Sequence, residues 1–267
     1  MMNKLNVNNL HFGYTKDEEI LKGITLELNT TPTAIIGQNG AGKTTFVKLL
    51  KGLLRPSKGD IIFNGQNIVH ISVATLAKDI GLIFQNPNDQ IFKNTVIDEI
   101  MFGPLQIGMD KKEAQSSAEN ALKMIKLENT SKINPYDLSL SDRKLISIAS
   151  IIAMNPKVII FDEPTIAQDY EGKKLIKNII NFLSEQGKIV ISILHDMDFV
   201  AECFERVIIF SKGNVILDNT AKQVFSKKEI LENIYLEQPY ITQLGYELEF
   251  HNICLNIDDI LAQAYKG

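Results

Sequence analysis

An α/β fold built on a mainly parallel sheet is what the 267-residue sequence predicts, on three observations. Short apolar runs alternate with segments of helical period from residue 33 to residue 210, the rhythm of buried strands joined by crossover helices. The stretch Gly37-Gln38-Asn39-Gly40-Ala41-Gly42-Lys43-Thr44 fits the pattern G-x-x-x-x-G-K-[ST] and stands between a strand and a helix. Three other apolar runs stop abruptly at a polar side chain, namely Gln85, Asp162 and His195. Open α/β sheets keep their ligands beyond such strand ends.

Taken in order, Leu5 to Phe12 and Ile20 to Leu28 read as strands around a polar turn, Thr15 to Glu19. Thr33 to Ile36 is a short apolar strand, and Thr44 to Gly52 a helix with Phe46, Leu49 and Leu50 on one face. Ile61 to Phe63, followed by Asn64-Gly65, predicts a hairpin and, with the first strands, an antiparallel attachment to the core. Ile80 to Phe84 is a strand that ends in Gln85 and a polar loop. From Thr95 to about Leu127 the period is helical, with expected breaks at Gly103-Pro104 and Gly108. Pro135 to Asp142 reads as a polar lead into a helix from Arg143 to Met154, stopped by Asn155-Pro156. Val158 to Phe161 and Ile189 to Leu194 are fully apolar strands, with a helix from Lys173 to Leu183 between them. Val207 to Phe210 and Asn214 to Leu217 form a hairpin around Lys212-Gly213. From about residue 226 helical segments replace the βα rhythm.

Composition bounds the function. Hydrophobic residues at 45% and charged residues at 22% are ordinary for a globular chain, and a net charge of −4 gives no sign of a nucleic-acid partner. Cys203 and Cys254 are too few for a disulfide framework, which fits a reducing, cytosolic setting. The start, Met-Met-Asn-Lys-Leu-Asn, is polar where a signal peptide carries its apolar core, so none is expected. No apolar run approaches the ~20 residues that span a bilayer. Work at a membrane would therefore need another chain to hold this one there.

The chemistry follows from the residue types. Glycines let successive N–H groups of residues 37–44 point into one concavity at a helix start, where a phosphate fits. Lys43 would reach the β- and γ-phosphates and Thr44 would bind Mg²⁺. Asp162 is placed to hold the same ion, and Gln85 to bridge ion and water. Glu163 would polarise the attacking water, and His195 would stabilise charge developing on the γ-phosphate. Tyr14 could stack on a planar base.

In this order and at this spacing, these residues resemble the ATP-binding cassette (ABC) family of transporter ATPases over essentially the whole chain. The resemblance implies a P-loop NTPase core with an α-helical subdomain at about 86–155, a nucleotide-binding domain over 1–225, and a small C-terminal appendage over 226–267. Tyr14 then falls at the adenine-stacking position. Gly37, Asn39, Gly40, Ala41, Gly42, Lys43, Thr44 and Thr45 bind ATP, and Thr44, Gln85 and Asp162 hold Mg²⁺. Glu163, His195 and Gln85 are catalytic, and Asp169 belongs to the D-loop. Gln85-Asn86-Pro87-Asn88-Asp89-Gln90-Ile91-Phe92 is similar to the corresponding loop of energy-coupling factor ATPases of the cobalt-transporter type, as is the appendage, with Phe225-Ser226 and Leu255 to Leu261. In that group the appendage helps two ATPases dimerise. Implied partners are a second ATPase, a transmembrane coupling protein and a membrane substrate-binding subunit, at the cytoplasmic face of the membrane. Another type of ABC transporter, or a regulatory subunit with little turnover, is the alternative.

One segment departs from the family. Its L-S-G-G-Q signature, which caps ATP held by the other subunit, is here Leu138-Ser139-Leu140-Ser141-Asp142. Ser139 is kept as an ATP-binding candidate, but the glycines that allow close approach are lost and Asp142 adds a charge that repels a polyanion. A weakened site opposite this segment, and hence a heterodimer with an intact partner, is the expectation. Thr165 to Gln168 likewise lack the usual small-residue and leucine pattern before Asp169.

Overall fold

Alternate residues of the central strands point to opposite faces of a sheet, and in this chain both faces are covered. The computed structural model describes residues 3–15 and 17–265; Lys16 of the expected polar turn, and residues 1–2 and 266–267 at the ends of the expected domains, lie outside the described residues. The strands β1 (Leu5–Phe12), β2 (Leu21–Leu28), β3 (Thr33–Ile36), β4 (Lys58–Phe63) and β5 (Gln66–Asn67) come first, with α1 (Lys43–Leu50) following β3. After them run α2 (Val73–Leu76), β6 (Ile80–Ile83), α3 (Val96–Gln106), α4 (Lys111–Met124), α5 (Leu140–Ile152), β7 (Val158–Asp162), α6 (Tyr170–Glu185), β8 (Ile189–Ile193) and α7 (Met197–Cys203). The chain closes with β9 (Arg206–Ser211), β10 (Asn214–Thr220), α8 (Ala221–Phe225), α9 (Lys228–Asn233), α10 (Tyr240–Glu247) and α11 (Ile257–Ala264).

Among the described residues, the main sheet has six strands in the order β10-β9-β3-β8-β7-β6, and a four-stranded sheet has the order β2-β1-β4-β5. All pairings among β9, β3, β8, β7 and β6 are parallel, while β10 returns antiparallel to β9. The Lys212-Gly213 turn between those last two strands has both residues at positive φ, as a tight hairpin requires. Ile35, Ile160, Ile191 and Ile208 face one core with α1 and the antiparallel strands. Ala34, Ile159, Phe161, Val190 and Ile209 face the other, with α3 to α8. This double burial explains why the strands read as unbroken apolar runs.

Three expectations need correction. The helix expected to break at Gly103-Pro104 runs through both residues, and the chain turns only at Gly108, where φ is +97°. Gly103 allows a close approach: a Cβ there would meet Met154 Sδ at 2.6 Å, so α3 passes close to the Met154 side chain that follows α5, which would have to move for a larger residue. Pro104 stands two residues before the helix end and is buried; its missing N–H forfeits one ladder bond, to the Ile100 carbonyl. The helix expected from Arg143 begins at Leu140, because the Ser139 hydroxyl accepts the Asp142 N–H and caps it. The helix expected from Lys173 begins at Tyr170, capped by Asp169, which accepts the Gly172 N–H at 2.8 Å.

Candidate functional site

The carboxyl ends of β3, β6, β7 and β8 lie on one edge of the main sheet, and their loops converge on a cleft of about 290 Å³. Tyr14, Asn39, Gly40, Ala41, Gly42, Lys43, Thr44, Thr45, Gln85, Asp162, Glu163 and His195 line it together. Two expected residues do not. Gly37 stands under the loop at φ +148°, where any Cβ would collide with the Phe210 carbonyl. Ser139 caps α5 outside this cleft.

The phosphate loop is held open by its glycines: Gly40 and Gly42 have φ of +79° and +99°, and Gly42 starts α1. The Lys43 ammonium donates to the Gly37 carbonyl at 2.5 Å and to Gln38 at 3.0 Å. Burial lowers its pKa, against the pull of Glu163 and Asp162. The Tyr14 ring meets Phe12 edge-on, with centroids 5.0 Å apart, and is 61% exposed, so its free face stands at the cleft mouth.

Asp162 ends β7 and pairs in the ladder with Ile193, which sets the height of the acidic pair beside β8. Burial raises the Asp162 pKa, opposed by the Lys144 charge and the Thr44 hydroxyl. Glu163 takes φ +51°, a left-handed conformation uncommon for a residue with a side chain. This turn aims its carboxylate into the cleft. Its Oε1 lies 3.2 Å from His195 Nε2, off the line of a hydrogen bond, and is a buried oxygen without a hydrogen-bond donor. Burial and the neighbouring Asp162 push the Glu163 pKa up to about 7. The His195 pKa is lowered by burial and by Lys43, so its imidazole is neutral near pH 7.

At the first turn of α5, the Ser139 hydroxyl donates to the Asp142 carboxylate at 2.7 Å. Ser141 Oγ donates to Gln168 Oε1 at 3.0 Å, and Gln168 Nε2 donates back to the Ser141 carbonyl at 3.2 Å. The polar groups of this segment thus bond to one another and to the loop before Asp169, while Leu140 is exposed.

Sequence reasoning missed Ile20, which precedes β2 and lines the cleft, and Lys144, which is buried in α5 with its ammonium on the carbonyls of Phe84, Gln85 and Asp162. A lysine opening the run Leu145-Ile146-Ser147-Ile148-Ala149 was the available signal for the second. Gln90 is a further strut: its carboxamide accepts the Phe84 N–H and donates to Ser147 O and Ser150 Oγ.

The family profile for ABC transporters matches residues 21–166. A putative ABC transporter ATP-binding protein of Pyrococcus furiosus is 36% identical over 240 residues, covering 90% of this chain and 92% of that one. The energy-coupling factor transporter ATP-binding protein EcfA of Methanoculleus marisnigri is 33% identical over 268 residues, covering 100% and 97%. Among solved structures, cbiO1 of Clostridium perfringens, part of the ABC transporter complex cbiONQ, aligns with a TM-score of 0.79 and 31% identity over 94% of this chain and 100% of that one. An ATP-binding cassette dimer in a post-hydrolysis state, bound to ADP and Pi, aligns with a TM-score of 0.74 and 26% identity over 81% and 98%. The chain therefore belongs to the ABC transporter family, as one of its ATP-binding, ATP-hydrolysing subunits, and is similar to those of energy-coupling factor transporters.

Proposed function

We propose that the chain powers an energy-coupling factor importer of vitamins or metal ions, as one half of an asymmetric ATPase dimer. The observation that carries the reading is the coexistence, in one chain, of a complete hydrolytic cleft and a signature segment whose hydroxyl is tied to its own carboxylate. Tyr14 stacks the base, and the loop amides with Lys43 hold the phosphates. Oxygens of Thr44, Gln85 and Asp162, a hydroxyl, an amide and a carboxylate, suit Mg²⁺, which when bound neutralises phosphate charge. The unpartnered oxygen of Glu163 orients the attacking water and, with a pKa about 7, is poised to take its proton. Neutral His195 can donate from Nε2 to the γ-phosphate.

A second ATPase with an intact signature closes over this cleft, while Leu140 and Asp142 of this chain oppose the partner's nucleotide by bulk and charge. Residues 1–225 serve as the nucleotide-binding domain, with 86–155 as its helical subdomain. In the appendage, 226–267, the exposed residues Tyr240, Leu244 and Leu248, and Ile257, Leu261 and Tyr265, recur at intervals of four along α10 and α11. These two apolar stripes support a dimerisation role. No helix among the described residues is long and apolar enough to cross a membrane. By the likeness to energy-coupling factor ATPases and to cbiO1 of the cbiONQ complex, a transmembrane coupling protein, joined by a membrane substrate-binding subunit, holds the chain at the cytoplasmic face.

The tied-off signature also favours a second reading, a subunit that binds nucleotide with little turnover. Reconstituting the transporter with Glu163→Gln in this chain alone separates the two. Loss of most ATPase and uptake supports the enzymatic role, and unchanged ATPase and uptake sink it.

A further inference from the structure

Lys144 is 1% exposed, lies one turn into α5, and has no task in the chemistry described above. Its ammonium donates to Phe84 O at 2.7 Å, Gln85 O at 3.0 Å and Asp162 O at 3.0 Å. An ammonium has three protons and accepts nothing, so these carbonyls satisfy it completely. They sit at the ends of β6 and β7, whose parallel ladder has its last pair at Ile83 and Phe161. Beyond that pair the two strands no longer bond each other. The lysine bridges them there, between the residues that carry Gln85 and Asp162.

We propose that Lys144 is a positioning residue that fixes the main chain at Gln85 against that at Asp162, so that their side chains stand ready together for Mg²⁺. The proposal rests on the assignment of those two side chains to the ion. Independent contacts brace the same loop to the same helix. Gln90 links the Phe84 N–H to Ser147 and Ser150, and Arg143 Nη1 donates to Asn88 Oδ1 at 3.0 Å. The loop after β6 is thus held against α5 from Phe84 to Gln90, and among the hydrogen bonds of the described residues it is those of Lys144 that carry the hold across to β7. Because α5 begins at the signature segment, a displacement of that segment reaches the metal ligands through the same ammonium.

The test is equilibrium binding of a fluorescent ATP analogue to the full-length chain, in excess EDTA and in excess Mg²⁺. Lys144→Met keeps the length of the stem and removes all three donors. Its affinity in EDTA stays within about twofold of the parent's, because the phosphate loop is untouched, while the gain in affinity on adding Mg²⁺ falls about tenfold or more. An undiminished gain, or an equal weakening in both buffers, overturns the proposal. Lys144→Gln, a shorter side chain with its own donors, is read in the same way and falls between parent and Met; should Lys144→Met fail to fold, its Mg²⁺ gain decides alone. Asp162→Asn separates the two levels of inference. If it too leaves the Mg²⁺ gain intact, the metal assignment fails; if it abolishes the gain and Lys144→Met does not, only the positioning role fails.

Discussion

Replacing Glu163 with glutamine perturbs one buried proton, and the structure sets the size of the effect. The side chain is 5% exposed, and its pKa stands at about 7 against an ordinary 4.5, through burial first and Asp162 second. The folded chain keeps a proton that the unfolded chain releases from about pH 4.5 upward, so this group's stabilising contribution is whole below that pH and is lost as pH rises through about 7. A shift of this size corresponds to about 3 kcal/mol across the full window. Between about pH 5.5 and about pH 8.5 the loss is about 2 kcal/mol. Glu163→Gln is neutral at every pH and removes this contribution. Urea titrations of the nucleotide-free full chain at those two pH values should therefore give a parent that loses about 2 kcal/mol more than the variant. Equal pH dependence in the two proteins would refute the electrostatic account of the cleft. So would a variant less stable than the parent at the higher pH.

Three further outcomes follow from other parts of the molecule. Rebuilding the signature with Leu140→Gly, Ser141→Gly and Asp142→Gln, in a reconstituted dimer where Glu163→Gln silences this chain's own cleft, should raise phosphate release at least about tenfold through the partner's site; no rise would mean that the segment is not the limiting element there. Gly103→Val places a branched side chain against Met154 Sδ, 2.6 Å from the new Cβ, and should destabilise the chain by about 1–3 kcal/mol in thermal or urea melts, with ATP affinity little changed. Burial holds the Cys203 thiol up at about 12, so maleimide labelling of this thiol should be slow in the native chain and fast in denaturant; rapid native labelling would contradict the packing of α7.

Much of the fold was legible because double burial leaves a plain trace. Val158 to Phe161 and Ile189 to Leu194 are apolar without interruption, and each ends where the structure ends a central strand, give or take a residue. Gly37 to Thr44 was legible for another reason: the backbone there takes positive φ at three glycines, which few other residues tolerate. Helix starts were less legible. Leu140 and Tyr170 begin their helices because Ser139 and Asp169 cap them, and a serine or an aspartate in a polar stretch signals a loop equally well. The Gly103-Pro104 pair misled because both residues usually end helices, whereas here the glycine lies against the Met154 side chain inside a continuing helix.

By itself, the sequence determined the α/β rhythm, the phosphate loop and the polar residue at each strand end, since these depend on local chain conformation and on which faces are buried. Only the tertiary structure decided what those residues do to one another. Asp162 lies 33 residues before His195 and 77 after Gln85 in the chain, and no local pattern encodes their approach; the order β3-β8-β7-β6 does, by stacking four strand ends along one edge. The same packing buries the Glu163 carboxylate beside Asp162 and raises its pKa, and it brings Lys144 to three carbonyls from two strands. Burial and charge proximity act through space, so they become readable only once the chain is folded.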